Sequence, residues 1–118
     1  MMNPVTGLSL ARIGIGAVAI ASPDLASRLF RLDSANNPQL PYLSRMFGSR
    51  EIALGALTLL ARGTARRNLV LVGMSVDGAD AAAGYLAGRD GYVDQTTSAF
   101  LTGPAVLAVL AGAVGLRS

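Results

Sequence analysis

The strongest constraint on this chain is the stretch from Asn68 to Gly88, in which only two of 21 residues are ionisable. As a helix this stretch would be about 31 Å long, close to the hydrocarbon thickness of a bilayer. The two ionisable residues, Asp77 and Asp80, are three positions apart near its middle and therefore share a helical face. Two carboxylates in a membrane-length apolar segment predict that the rest of the chain encloses them.

Three other stretches have a comparable apolar length. The last of them, residues 95–116, has no ionisable residue and is the clearest candidate span. The sequence therefore predicts an all-α fold, a four-helix transmembrane bundle with a short interfacial amphipathic helix between spans 1 and 2. The predicted single membrane domain comprises residues 1–118, with spans at about residues 4–22, 42–61, 68–88 and 95–116 and the interfacial helix at about residues 24–32.

Composition supports this prediction and narrows the chemistry. Hydrophobic residues make up 52% and charged residues 14%, whereas soluble domains carry about 25% charge. A soluble helical bundle is the alternative, but 118 residues offer too few partners to bury residues 95–116 on every side. The sequence has no Cys, His, Trp or Lys, which argues against thiol, Schiff-base and His-based metal chemistry. We expect no cofactor, no metal and no nucleic-acid partner.

Six ionisable residues fall inside the predicted spans, three of each sign. At about 2.5–3.5 kcal/mol per charge at the bilayer centre, six lipid-facing charges would cost about 15–20 kcal/mol, more than a typical domain's whole stability. They must therefore pair inside the protein, line a wet cavity or, near a helix end, reach the headgroups. The six are Arg12, Arg45, Arg50, Glu51, Asp77 and Asp80.

Two interpretations of these charges stay open. They can form a dry ion-pair network that fixes helix register, or a polar site that binds a ligand. In the second case the ligand-binding candidates are Arg12, Arg50, Glu51, Asp77 and Asp80.

The function hypotheses follow from that site. The first is a small membrane protein that binds a small or lipidic ligand, or a partner subunit, through its polar core. The second is a proton-coupled transporter or channel. The third is an intramembrane acid–base enzyme acting on an epoxide or isoprenoid-like substrate, with Asp77, Asp80 and Glu51 as its catalytic residues.

Two glycine motifs admit more than one interpretation. Residues 14–19 match the G-x-G-x-x-G/A fingerprint of dinucleotide-binding folds, but no strand precedes them, so close helix packing explains them better. Gly84 and Gly88 form a GxxxG pair, which indicates either internal helix packing or a dimer face.

The motif Gly48-Ser49-Arg50-Glu51-Ile52-Ala53-Leu54-Gly55, together with Asp77-Gly78-Ala79-Asp80, resembles a family of small four-helix membrane proteins, the domain-of-unknown-function 4267 group. The chain is more loosely similar to DoxX-like proteins. The resemblance implies that Arg50, Glu51, Asp77 and Asp80 are the family's characteristic polar positions. It implies no reaction.

The expected location is a bacterial plasma membrane. The N-terminus lacks a basic region before its apolar stretch, so we expect no cleaved signal peptide. With four spans, one side would hold four arginines and the other three, which favours both termini in the cytoplasm. The expected partners are membrane lipid, a small apolar or anionic ligand and a second copy of the chain.

Overall fold

The computed structural model describes residues 3–117, and within them the chain is entirely helical apart from its connections. Five helices are present, of which three are long and apolar enough to cross a membrane. The predicted four-helix transmembrane bundle with one short interfacial helix is therefore wrong. The helices are α1 (Pro4–Ala21), α2 (Pro23–Leu29), α3 (Leu40–Leu60), α4 (Gly63–Arg89) and α5 (Gln95–Leu116), and the candidate spans are α1, α4 and α5.

Helix α3 is the source of this correction. It has 21 residues, so any 18 consecutive residues in it include all of Arg45, Arg50 and Glu51. With three charged residues in every stretch of membrane-spanning length, α3 is not apolar enough to count as a candidate span. The predicted span at about residues 42–61 depends on the mainly apolar run that follows Glu51. With three candidate spans, the argument for both termini on the same side no longer holds.

The helix ends also differ from the predicted boundaries. The third span is predicted to begin at about residue 68, but α4 already begins at Gly63. Gly63 has a positive φ of 60°, which lets the chain reverse within two residues after α3 ends. Arg66 and Arg67 therefore lie in the first turns of α4, where long side chains can extend from an apolar helix towards a polar interface.

Helix α2 is shorter than the predicted residues 24–32 because the chain turns sharply at Arg31. Arg31 is the one described non-glycine residue with a positive φ, 61°. The Leu32 N–H donates to the Ser27 carbonyl at 2.8 Å and the Arg31 N–H to the Arg28 carbonyl at 3.1 Å, which is the Schellman arrangement. The Arg31 side chain then reaches the start of α5, where its guanidinium lies 3.8 Å from the Asp94 carboxylate.

Capping residues set the starts of α1 and α5. Asn3 accepts a hydrogen bond from the Val5 N–H at 2.8 Å, and Asp94 accepts one from the Thr97 N–H at 2.7 Å. The bond from Thr97 lowers the pKa of Asp94 below its ordinary range, because it favours the ionised carboxylate. Both caps satisfy N–H groups that have no partner inside the helix.

The long helices form two antiparallel pairs, each held by glycines. In the first pair, α1 and α3, a Cβ placed on Gly16 would lie 2.6 Å from the Gly48 carbonyl oxygen. In the second pair, α4 and α5, Gly84 packs against Leu101 and Gly88 packs against Ser98. Real Cβ atoms do not approach other atoms so closely, so at each of these glycines the helix backbone lies directly against the neighbouring helix. The GxxxG pair of α4 is thus used inside the molecule.

The burial pattern is the reverse of that in a water-soluble domain. Only five described hydrophobic residues are buried, whereas eight polar or charged residues are. The buried residues of α5 are Thr97, Ser98 and Gly112, while its large apolar side chains, Leu107 and Leu110 among them, are exposed. Apolar outer faces around a small and polar interior are consistent with a membrane protein and disfavour the soluble bundle.

Candidate functional site

The buried charges meet where the two helix pairs face each other. On α1, four residues at helical spacing, Ser9, Arg12, Gly16 and Ala19, are buried on one face, so Arg12 points away from the outer surface. Gly73 of α4 makes room for it, because a Cβ on Gly73 would lie 3.0 Å from Arg12 Nη2. A small residue opposite a long cation is the local reason that Arg12 fits between the pairs.

Arg12 forms what we call the inner triad with Glu51 and Asp77. Its Nη1 donates to Glu51 Oε2 at 2.9 Å and to Asp77 Oδ1 at 3.0 Å, and its Nη2 donates to Asp77 Oδ2. The Asp77 contact is therefore bidentate, the strongest geometry for this pair of groups. The Arg12 and Asp77 side chains are only 8% and 4% exposed. The inner triad joins α1, α3 and α4 in one buried contact.

Arg50 and Asp80 form a second contact, the outer pair. Arg50 Nη2 donates to Asp80 Oδ2 at 2.6 Å, and it lies 3.9 Å from Glu51 Oε1. The two side chains are 38% and 33% exposed, far more than those of the inner triad. Arg50 also lies over the Phe47 ring, 5.2 Å from its centroid, which holds the guanidinium at the edge of α3.

The remaining predicted member, Arg45, does not join the cluster. It is exposed on α3, and its Nε donates to the Ile20 carbonyl at 3.3 Å. The cluster therefore contains three carboxylates and two guanidiniums, a net charge of −1 when all five groups are ionised. The six charges of the predicted spans balance, three of each sign, but the sequence leaves open whether Arg45 pairs with the others or reaches the headgroups, because position along a helix does not reveal which neighbours a residue faces.

A cavity of about 600 Å³ lies beside the cluster and is bounded by parts of all five helices. Its walls are mainly apolar, with the charged groups gathered on one part of the lining. The ionisable residues that line it, among those described, are Arg12, Arg50, Glu51, Asp77 and Asp80. All five ligand-binding candidates thus border one space.

Several lining residues were not predicted from the sequence. Ser27 and Phe30 come from the end of α2, and Ser44 and Phe47 come from the first half of α3. The Phe30 and Phe47 rings meet edge to face with centroids 6.2 Å apart. We had interpreted the α2 segment as lying flat on the membrane, and its Ala26 and Ser27 are instead buried. Two adjacent small residues between larger ones are the sequence feature that could have indicated a buried face on α2.

The three carboxylates are also close enough to share a metal ion. One oxygen from each of Glu51, Asp77 and Asp80 lies within 4.8 Å of the others. Such oxygens suit hard cations such as Mg²⁺ or Ca²⁺. However, Arg12 and Arg50 already donate to one oxygen or more of all three, so the two guanidiniums account for their approach without a metal. Ion pairing explains the arrangement more simply.

No known protein family, no curated protein and no solved structure matches this chain. The resemblance to the domain-of-unknown-function 4267 group accordingly stays a prediction. The functional argument below depends on the geometry of the cavity and of the two charged contacts.

Proposed function

We propose that this protein is an integral membrane protein that binds a small or lipid-derived amphiphilic ligand in the cavity between its two helix pairs. The outer pair, Arg50 and Asp80, is the polar contact for the ligand, and the inner triad is structural. We place it in a bacterial plasma membrane.

The observation that supports this proposal is the unequal burial of the two charged contacts. In the inner triad, Arg12 donates to both oxygens of Asp77, and the Asp77 side chain is only 4% exposed. In the outer pair, Asp80 uses Oδ2 and is one-third exposed, so its other oxygen is open to a ligand. A contact that only fixed helix register would gain nothing from that exposure, whereas a binding contact requires it.

Cavity size and lining support the same proposal. Ligand sites usually have volumes of about 300–1,000 Å³, apolar walls and a few convergent polar groups. The cavity has about 600 Å³, and apolar side chains such as Leu8, Ile15 and Leu101 form most of its walls. A molecule with an apolar body and one polar end would satisfy both parts of this lining.

The experiment that tests the proposal fills the cavity. Ala83 lines the cavity and its neighbour Ala82 does not, although both are on α4. We expect native mass spectrometry of the purified wild-type protein to detect a co-purified apolar ligand. Ala83→Phe should lose that ligand, and Ala82→Phe should retain it. Equal retention in both variants, or no ligand on wild-type protein even after incubation with membrane lipid extract, would contradict the proposal.

Proton-coupled transport is a second candidate, favoured by the charge of the cluster. Three carboxylates facing two guanidiniums leave one negative charge that a proton can neutralise. In reconstituted liposomes this candidate predicts that a pH gradient drives uptake of the bound ligand, and that Asp80→Asn abolishes the uptake. Binding without any pH-driven uptake would leave the first candidate alone.

A further inference from the structure

We propose that the cavity selects an amphiphile with a cationic head group and that Asp80 is its counter-ion. This inference depends on the ligand-binding function proposed above and specifies the ligand's charge. It replaces the expectation of an anionic ligand, which came from treating Arg12 and Arg50 as free cations.

The first step is the charge of the lining. Both guanidiniums that border the cavity are already ion-paired: Arg12 with Glu51 and Asp77, and Arg50 with Asp80. The Arg50 Nε–H has no hydrogen-bond partner among the described residues, but the charge of this guanidinium is offset by Asp80. An anionic head group would therefore meet three carboxylates and two guanidiniums that are already paired, a lining with a net charge of −1. In a cavity with apolar walls, electrostatic interactions are poorly screened. The net negative charge therefore repels an anionic head group and attracts a cationic one.

The second step is that no other described arginine neutralises the excess charge. Arg45 donates to the Ile20 carbonyl on the exposed side of α3. Arg31 of the α2–α3 connection is engaged with Asp94 at the start of α5. The cavity lining includes none of the remaining arginines, which are Arg28, Arg62, Arg66, Arg67, Arg89 and Arg117, and neither α1 nor α5 adds another charge to it. The excess negative charge therefore belongs to the cavity.

The third step is the position of the acceptor and its surroundings. Asp80 Oδ2 takes the hydrogen bond from Arg50, whereas Oδ1 has no donor among the described residues. The Phe47 ring already has the Arg50 guanidinium over it, but Phe30, whose ring meets Phe47 edge to face, lines the same cavity, and aromatic rings attract ammonium groups. A single open carboxylate oxygen, an aromatic ring and long apolar walls together suit an alkylammonium.

The experiment compares three photo-crosslinkable amphiphiles that share a hexadecyl chain with a diazirine near its end. Their head groups are trimethylammonium, hydroxyl and carboxylate. The protein is held in nanodiscs of zwitterionic lipid, and mass spectrometry measures label on cavity peptides relative to label near Leu107 and Leu110, which are on the exposed face of α5. This ratio corrects for the different partitioning of each probe into the bilayer.

We expect the cavity ratio of the trimethylammonium probe to exceed that of the carboxylate probe by about tenfold or more, a modest effect for one partly desolvated charge pair. Asp80→Asn should reduce the trimethylammonium ratio by about tenfold and the hydroxyl ratio much less, because the amide oxygen still accepts a hydrogen bond from a hydroxyl group. Asp80→Glu should restore the trimethylammonium ratio. Equal ratios for the three probes, or a preference for the carboxylate, would overturn the inference on wild-type protein alone and leave the ligand-binding function standing. Absence of cavity labelling by every probe would instead contradict the proposed function.

Discussion

Removing Arg12 tests whether the inner triad holds the two helix pairs together. Arg12→Met keeps the length and apolar stem of the side chain and deletes its charge. Asp77 then loses its one described partner, since both of its oxygens bond only to Arg12. Glu51 keeps a weaker neighbour, because Arg50 lies 3.9 Å from its Oε1. The main consequence is thus one buried carboxylate without a counter-charge.

The expected size of the effect follows from the charge that is left behind. Breaking a buried pair from one side leaves an uncompensated buried carboxylate and costs about 3–5 kcal/mol, so we expect a loss of that size. A typical domain has about 5–15 kcal/mol in total.

Unfolding by sodium dodecyl sulfate from dodecylmaltoside micelles, followed by far-ultraviolet circular dichroism, measures this loss. Circular dichroism is the suitable signal because the chain is helical, and because without Trp or Cys it offers neither tryptophan fluorescence nor a thiol for a fluorescent label. Arg45→Met is the matched control and should change stability by less than about 0.5 kcal/mol, because Arg45 is exposed. Adding Asp77→Asn to Arg12→Met should recover about 2 kcal/mol or more. A single variant within about 1 kcal/mol of wild type, or a double variant no more stable than the single, would refute the reasoning.

Two further predictions concern the helix contacts and caps. Gly16→Ala should destabilise the protein by about 1–3 kcal/mol in the same assay, because its Cβ would collide with the backbone of Gly48. Gly14→Ala is the control and should be neutral or stabilising, because a Cβ there meets nothing within 4 Å. Equal effects of the two substitutions would contradict the described α1–α3 contact. The lowered pKa of Asp94 means that its cap stabilises the fold above the pKa of an unfolded aspartate and that this contribution disappears as the pH falls through the native pKa. Asp94→Asn keeps a capping side chain but removes the group that titrates. The melting temperature of this variant should therefore fall less than that of wild type between about pH 5 and pH 2. Identical falls would refute this assignment.

Much of the helical layout could be predicted from the sequence because hydropathy and proline positions are local signals. Span 95–116 coincides with α5 because nothing in it interrupts the apolar run. The prediction for α3 failed because its nine apolar residues after Glu51 dominated the interpretation, although three charges precede or border them. Recognition as a span depends on the whole membrane-length window, and the apolar half of α3 is not long enough alone.

The charge cluster was only partly predictable for a different reason. The cost of burying charge required Arg12, Arg50 and Asp77 to turn inward, and the structure brings them to one cavity. Which of them pair depends on the distance between helices, and Gly73 and Gly48 set that distance through contacts far apart in sequence. For the same reason, the sequence did not reveal that Arg45 stays outside or that the cluster has a net negative charge.

The central claim is that the cavity beside the outer pair is a ligand site. A crystal structure of the protein grown in lipidic mesophase, without added ligand, tests it most directly. The account predicts elongated density along the apolar walls, with its polar end within hydrogen-bonding distance of Asp80 and the inner triad dry. A collapsed cavity, in which side chains fill the space and Asp80 has both oxygens bonded to protein, would contradict the claim.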